Sequence, residues 1–239
     1  MIYAANWKLH KTPEQAQNFL RELSQSYKPH HNDKVVIFPP ALLAGVFSQE
    51  LQNSTMGWGL QNSYSQEQGA FTGENSAGTA KVMGAQYVLV GHSERRSLFA
   101  ERDELLAEKV KLAQSLGLQV VFCIGETLEQ REKNQTRSVL IEQIRKGLKS
   151  AQAKNLIVAY EPVWAIGTGK VATPEQVAET HTWIAQILKD HSLDLVPILY
   201  GGSVKPDNAA VLKQQAHVAG FLVGGASLEV SSFLGIIKA

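Results

Sequence analysis

The sequence predicts an α/β fold, a single-domain (β/α)₈ barrel over residues 1–239. Three observations predict it. Short apolar runs recur along the chain, most lead through a Gly, Pro or polar turn into a segment of helical period, and no linker or composition break divides the chain. A helix after each strand supplies the crossover that parallel strands need, and eight such units fit a closed barrel.

Eight apolar runs predict strands, because each is short and bounded by polar, glycine or proline residues. In chain order they are residues 2–5, 35–38, 56–60, 87–90, 118–124, 156–160, 196–200 and 219–223. An open, doubly wound sheet is the alternative. That fold predicts a Gly-x-Gly-x-x-Gly motif after the first strand, where this chain has Asn6-Trp7-Lys8.

Helices are predicted between these strands. Thr-Pro-Glu-Gln occurs at 12–15 and again at 173–176, and each copy predicts a helix start with a threonine cap, a proline in the first turn and a capping box. Apolar residues at helical spacing predict the faces that pack on the barrel. They are Ala16, Phe19, Leu20 and Leu23; Leu106, Val110 and Ala113; Leu140, Ile144 and Leu148; Val177, Ile184 and Leu188.

Composition excludes several classes of function. The formal net charge is +1, so no overall field attracts nucleic acid or an acidic membrane, and the pair Arg95-Arg96 is too short for a nucleic-acid patch. Cys123 is the single cysteine, which excludes an internal disulfide and a thiolate metal cluster. No motif for a metal, nucleotide or flavin appears, so we expect no metal and no cofactor.

The histidines and the start of the chain also bear on function. None of the seven histidines has a metal-binding HxxxH or HExxH spacing, and His30-His31 is most simply a solvated turn. Strand-like sequence begins at Ile2, leaving no room for a signal peptide, and no apolar run reaches about 18 residues. These features predict a cytoplasmic protein.

Glu161 is the first candidate catalytic residue, because it follows the apolar run 156–160 directly. Pro162 restricts Glu161 to extended backbone angles and so fixes the direction of its carboxylate. Residues 163–166 are too apolar for a loop that always faces water, and glycines at 167 and 169 let it bend. A surface ion pair would explain an isolated Glu, but the adjacent apolar loop favours a base shielded from water.

Other strand ends carry polar groups. Asn6 and Lys8 follow the first strand and provide an amide and a cation for an anionic substrate. His92 follows the fourth strand, where Ser93 or Glu94 can begin a helix. The positive end of that helix disfavours imidazolium, so we expect a neutral His92 that donates a hydrogen bond.

The ends of the last two strands predict an anion site. Gly201-Gly202-Ser203 and Gly224-Gly225 offer backbone N–H groups on adjacent strands, where a barrel of this kind holds phosphate.

Seven stretches in this order resemble the triosephosphate isomerase family over nearly the whole chain. They are Asn6-Trp7-Lys8, Gly69-Ala70-Phe71-Thr72-Gly73-Glu74, Gly91-His92-Ser93-Glu94-Arg95-Arg96, Cys123-Ile124-Gly125-Glu126-Thr127, residues 159–170, Tyr200-Gly201-Gly202-Ser203 and Gly224-Gly225-Ala226-Ser227. The resemblance implies a TIM barrel that interconverts dihydroxyacetone phosphate and D-glyceraldehyde 3-phosphate through an enediolate, without a cofactor, in glycolysis and gluconeogenesis.

The same resemblance implies a role for each matching residue. Glu161 would be the base, neutral His92 would polarise the carbonyl, and Lys8, helped by Asn6, would stabilise negative charge. The residues implied to bind phosphate through N–H groups are Gly167, Ser203, Gly224 and Gly225. Supporting roles would fall to Glu94 and Cys123, and Tyr200 and Ser203 would hold the closed loop.

A homodimer is also implied. The segment 69–74 resembles the family's interdigitating loop, in which Thr72 would approach Asn6 of the other subunit. Phe71 would be an exposed apolar side chain in a monomer, which favours burial by a partner.

Departures from the family pattern are modest, and two rival functions stay open. Alanines at 4 and 5 replace frequent glycines, Leu9-His10-Lys11 replaces Met-Asn-Gly, and residues 129–153 and the C-terminal tail are short. An aldolase with a Schiff-base lysine would need a lysine inside the barrel, and the predicted strands contain none. A binding protein without turnover is the other rival.

Overall fold

The computed structural model describes residues 1–28, 33–166 and 170–239. Over these residues eight parallel strands form one closed barrel in chain order, and the last strand pairs with the first. This confirms the predicted barrel and excludes the open sheet. The strands are β1 Ile2–Asn6, β2 Lys34–Phe38, β3 Gly57–Leu60, β4 Tyr87–Val90, β5 Gln119–Ile124, β6 Leu156–Tyr160, β7 Ile198–Tyr200 and β8 Gly220–Val223.

The predicted strand ends agree with these bounds to within two residues. The largest difference is at β7, which begins at Ile198 and leaves out Val196 and Pro197. Proline has no N–H to donate to a neighbouring strand. The expected turn at His30-His31 and the loop residue Gly167 lie outside the described residues.

Ten helices of the described part of the chain surround the barrel. They are α1 Pro13–Ser26, α2 Ala44–Glu50, α3 Ala77–Val82, α4 Ser93–Leu98, α5 Asp103–Ser115, α6 Leu128–Glu132, α7 Thr136–Gly147, α8 Pro174–Asp190, α9 Ala209–Lys213 and α10 Val230–Lys238. The predicted starts of α1 and α8 are confirmed, each with a complete capping box and a proline in its first turn. The four predicted apolar stripes are all buried.

Two apolar layers fill the structure, because alternate residues of each strand point to opposite faces. One layer lies between the strands and the surrounding helices and contains most of the buried side chains. The other fills the barrel interior and closes it as a packed core, not a pore. It consists of Ala4, Val36, Phe38, Leu89, Val121, Cys123, Ile157, Ala159, Leu199 and Leu222.

A buried histidine on α8 makes the stability of the fold depend on pH. His181 is fully buried beside the rings of Tyr160 and Tyr200, and its Nδ1 lies 3.1 Å from the carbonyl oxygen of His217, to which it donates. Burial lowers the pKa of His181 to about 4. The folded protein therefore keeps this ring neutral at pH values where the unfolded chain takes up a proton.

We expect the free energy of unfolding to fall as the pH drops from about 6.5 toward 4, by roughly 3 kcal/mol from His181 alone. Above about 6.5 the ring is neutral in both states and contributes no pH dependence. Urea unfolding at pH 7.0, 5.5 and 4.5, at one protein concentration, measures how the free energy of unfolding depends on pH. His181→Gln should weaken this pH dependence. An equal pH dependence in the wild type and the variant would contradict the assignment to His181.

Candidate active site

A cleft of about 230 Å³ opens at the carboxyl ends of the strands. It gathers residues that are far apart in the sequence, since the carboxyl ends of parallel strands meet at one rim of the barrel. Its lining includes Asn6, Lys8, His92, Glu161, Ala165, Ile166, Gly201, Gly202, Ser203, Leu222, Gly224 and Gly225. Asn6, Lys8, His92 and Glu161, all named from strand ends, thus share one cavity.

Glu161 directly follows β6 and is 2% exposed. Its N–H donates to the carbonyl of Ile124 at 2.7 Å, which ties it to the end of β5. A side chain at Gly125 would overlap the Glu161 carbonyl oxygen, and a Cβ at Gly201 would lie 2.9 Å from the Glu161 Cγ. Both glycines therefore make room for Glu161. Gly201 was predicted to belong to the anion site, and no role was predicted for Gly125.

The carboxylate of Glu161 is held by groups at the start of α4. Ser93 donates its backbone N–H to Oε2 at 3.0 Å, and His92 Nε2 lies 3.0 Å from Oε1. Burial raises the pKa of Glu161, but His92, the Ser93 N–H and Lys8 oppose it, and the pKa lies below its usual value. The surroundings therefore keep this deeply buried acid ionised.

His92 caps α4 with its own ring. Its Nδ1 accepts the backbone N–H of Glu94 at 3.2 Å. A neutral ring that accepts at Nδ1 carries its proton at Nε2, the atom that faces Glu161. This geometry fits the expected hydrogen-bond donor.

The pKa of His92 shifts in the direction opposite to that expected from the helix end. Burial lowers the pKa, but the Glu161 carboxylate in direct contact and the nearby Glu94 carboxylate together outweigh it, so the pKa lies above its usual value. The helix α4 has six residues, and its field is weak beside a full charge at hydrogen-bond distance. Whether His92 is neutral during turnover stays a prediction.

Lys8 lies just after β1 with a left-handed backbone, φ 51°. For a residue with a side chain this conformation costs about 1–3 kcal/mol, so the surrounding contacts must hold it. The ammonium of Lys8 lies 2.5 Å from Glu94 Oε1, and Glu94 Oε2 lies 3.7 Å from His92 Nδ1. With the contact between His92 and Glu161, these side chains form one continuous chain of polar contacts along the rim.

The glycine turns after β7 and β8 also line the cleft, next to Glu161 and Lys8. The nearest atom to a Cβ at Gly224 would be Lys8 Cε at 3.6 Å, and a Cβ at Gly225 would meet nothing within 4 Å. Ser203 donates its hydroxyl to the carbonyl of Ala165 at 2.8 Å, which joins the β7 turn to the start of the apolar loop. Gly167, the fourth predicted N–H donor, lies outside the described residues.

Glu126 has a role that the sequence analysis missed, although it lay within a matching stretch. This carboxylate is completely buried and accepts hydrogen bonds from the Tyr160 hydroxyl at 3.1 Å, from Trp164 Nε1 at 2.9 Å and from Arg131 at 3.1 Å. Trp164 belongs to the apolar loop. Glu126 thus anchors that loop to the barrel next to Glu161.

The three predicted supporting residues, Glu94, Cys123 and Tyr200, all lie outside the cleft lining, and Glu94 is joined to it through Lys8. Cys123 is buried inside the barrel, where burial raises the pKa of its thiol well above the usual value. Tyr200 is also fully buried, with its hydroxyl against Gly202, and burial raises its pKa to about 12. Both groups therefore stay protonated near neutral pH and are poor proton acceptors.

Several other features limit the chemistry. Among the described residues, no group of three or more His, Cys, Asp or Glu side chains is arranged to hold a metal ion. No helix in the described ranges is both long and apolar enough to cross a membrane. The lysine that begins β2, Lys34, is exposed at the end of the strand opposite to the cleft, which leaves no support for a Schiff-base aldolase.

A buried carboxylate in contact with a histidine, beside a lysine and two glycine turns at the rim, defines an enzyme of the phosphate-binding (β/α)₈ barrel class. The family model of triosephosphate isomerase matches residues 1–239. The chain belongs to the triosephosphate isomerase family. This confirms the resemblance and the expected reaction class, the isomerisation of triose phosphates.

Individual relatives agree with the family model. The chain is 55% identical to the triosephosphate isomerase of Bdellovibrio bacteriovorus, in an alignment covering 97% of this chain and 96% of the relative. It is 46% identical to the triosephosphate isomerase of Carboxydothermus hydrogenoformans, covering 98% and 96% of the two chains. The similarity therefore extends over the whole barrel.

Proposed function

We propose that this chain, as a single catalytic domain over residues 1–239, interconverts dihydroxyacetone phosphate and D-glyceraldehyde 3-phosphate through an enediolate. The observation that carries the proposal is the 3.0 Å contact between His92 Nε2 and Glu161 Oε1 inside the cleft. It brings a carboxylate base and a neutral-ring donor to one point, next to glycine turns suited to phosphate. No metal or cofactor takes part.

Glu161 moves the proton between the two neighbouring carbons of the substrate. To reach them, the carboxylate leaves the Ser93 N–H and His92, two of the groups that lower its pKa. Burial then dominates, which raises the pKa and makes Glu161 a stronger base. Rotation of the side chain toward the substrate thus increases its basicity where the proton is removed.

His92 and Lys8 stabilise the charge that develops on oxygen. Once Glu161 has moved, the Nε2 proton of His92 is free to bond the substrate carbonyl, and the ring then carries protons between the two oxygens. Lys8, with the Asn6 amide beside it, lies close to Gly224 and neutralises charge on both phosphate and enediolate. Donors placed in advance at such a site are worth about 3 kcal/mol each.

The apolar loop excludes water during this step. Its first turn, Val163–Ala165, is held by the Glu126 bond to Trp164 and by Ser203 at Ala165, and Ile166 lies over the cleft. Gly167, Ser203, Gly224 and Gly225 bind the phosphate through N–H groups, and Tyr200 and Ser203 hold the closed loop. Glu94 and Cys123 support the site without carrying protons.

A coupled isomerase assay on the purified chain tests this function. D-Glyceraldehyde 3-phosphate is supplied, and a dehydrogenase specific for dihydroxyacetone phosphate reports the product. We expect full turnover after treatment with EDTA and extensive dialysis. A protein that binds the substrate but shows no turnover above the uncatalysed rate would support a binding protein instead.

A homodimer in the cytoplasm is the second part of the proposal. Phe71 is 39% exposed, and its ring lies beside that of Tyr64, with ring centroids 4.4 Å apart and the planes tilted by 41°. A groove of about 530 Å³ lies beside the cleft, and Leu9 and Phe99 in its lining are 93% and 62% exposed. Burial of these apolar groups against a second copy, with segment 69–74 of each subunit in the groove of the other, explains both surfaces.

Replacing Phe71 with Asp should convert the dimer to a monomer and lower kcat/KM by about tenfold or more, because a charge in an apolar interface costs several kcal/mol. Sedimentation equilibrium at micromolar concentration measures the change. Val82→Asp is the matched control, since Val82 is exposed outside this groove.

A wild-type protein that is fully active as a monomer would overturn the dimer. Cell fractionation that places the protein outside the cytoplasm would overturn the location.

A further inference from the structure

We infer that Gln61 is a positioning residue for the known reaction, which holds the backbone of Lys8 so that its ammonium points across the cleft. Gln61 follows β3 directly, and no motif in the sequence marked it. The inference rests on the proposed role of Lys8 at the phosphate and the enediolate. It adds a residue that contacts neither.

Lys8 needs external contacts to keep its conformation. Its φ of 51° lies in the left-handed region, which residues with a side chain rarely adopt. Both of its backbone polar groups are bound by side chains: its N–H donates to Asn6 Oδ1 at 3.0 Å, and its carbonyl oxygen accepts from Gln61 Nε2 at 2.8 Å. The peptide after Lys8 is thus fixed in orientation by Gln61.

Gln61 also ties this turn to the barrel wall. The same Nε2 donates to the carbonyl of Phe38 at the end of β2, at 2.9 Å, and Phe38 in turn accepts the N–H of Trp7 at 3.1 Å. One amide therefore connects the ends of three neighbouring strands. Strands β1, β2 and β3 are paired side by side in the barrel, so these hydrogen bonds fix the turn that carries Lys8 relative to the barrel wall.

The direction of the Lys8 side chain follows from that backbone. Its stem passes 3.6 Å from the Cβ position of Gly224, in the glycine turn after β8, and its ammonium reaches Glu94 after β4. The cation thereby lies between the anion site and His92. If the left-handed turn relaxed, the same side chain would leave from a different angle and miss one of these neighbours.

Replacing Gln61 with Met removes both donated hydrogen bonds and keeps the length of the side chain. We expect kcat/KM to fall by about 10- to 100-fold, since a displacement near 1 Å has effects of this order. The dissociation constant of inorganic phosphate, measured by calorimetry, should rise about fivefold or more, because Lys8 contributes to the anion site in the unliganded enzyme.

Gln114→Met is the matched control. Gln114 on α5 also donates its Nε2 to two backbone carbonyls, of Gln152 at 2.7 Å and Asn155 at 3.1 Å, away from the cleft. We expect the two variants to lower Tm by similar amounts. Only Gln61→Met should change KM and the phosphate dissociation constant by more than twofold. Equal kinetic effects of the two would overturn the inference and assign Gln61 a purely structural role.

A double-mutant cycle shows whether Gln61 acts through Lys8. In a Lys8→Met background, Gln61→Met should change the phosphate dissociation constant by less than about twofold, because the group it positions is gone. An undiminished effect there would also overturn the inference. If Lys8→Met by itself left the phosphate dissociation constant unchanged, the proposed role of Lys8 would be wrong. The single Lys8→Met variant therefore tests Lys8 separately from Gln61.

Discussion

Glu161→Asp lowers kcat by about 10²-fold or more and leaves KM nearly unchanged, because it retracts the carboxylate by roughly 1 Å while keeping its charge. The structure sharpens this expectation. Glu161 has a fixed backbone between the Ile124 carbonyl and Pro162, so the chain cannot advance to restore the reach. The loss therefore falls on proton transfer and not on substrate binding.

Steady-state kinetics in both directions of the reaction, with thermal unfolding of the same samples, measure the effect. The control is Glu129→Asp, the same shortening at an exposed glutamate on α6. It should keep kcat within about twofold, as expected for a surface substitution. Near-normal turnover of Glu161→Asp would remove this residue from the role of base.

The fold could be predicted because its signals are local and repeated. Each strand is a short apolar run with a marked end, and the two Thr-Pro-Glu-Gln segments begin α1 and α8 as expected. A closed barrel could be predicted because the sequence has eight strand–helix units and lacks the Gly-x-Gly-x-x-Gly motif that an open dinucleotide-binding sheet would carry after its first strand. The bounds were least accurate where a local exception intervenes, as at Pro197 before β7.

The membership of the cleft could also be predicted, but its contacts could not. Lys8, His92 and Glu161 each follow a strand, and parallel strands in a closed barrel place all three at the same rim. The topology is therefore sufficient to predict that they meet. The contact of His92 with Glu161 depends on where α4 begins relative to the end of β6, a distance no sequence spacing encodes. The direction of the His92 pKa shift was missed for the same reason.

Residues that act through the backbone were the hardest to find. Gly125 and Gly201 matter through the space they leave for Glu161, and Gln61 through two carbonyls on other strands. Each partner lies on a different strand. Nothing in the sequence marks these residues as special. Their roles depend on contacts with residues that are distant in the sequence and adjacent only in the folded structure.

The other large effect concerns His92. His92→Gln should lower kcat by about 10²-fold or more, since an amide still donates a hydrogen bond but cannot carry a proton between two oxygens. The fold should persist, because a side chain of similar size replaces a ring at the start of α4. His191→Gln, at the far end of α8 from the cleft, is the control and should leave the rates unchanged.

The pH profile separates this role from simple loss of structure. Part of the lowering of the Glu161 pKa comes from the positive charge that the His92 ring can take up, and a neutral amide cannot supply that charge, so His92→Gln should raise the pKa of Glu161. The free enzyme then needs a higher pH to keep its base ionised, and the acidic limb of kcat/KM moves upward. A variant with normal rates, or an acidic limb that moves to lower pH, would contradict the pairing. The shift appears in kcat/KM because that parameter reports ionisation of the free enzyme, in which Glu161 still faces His92.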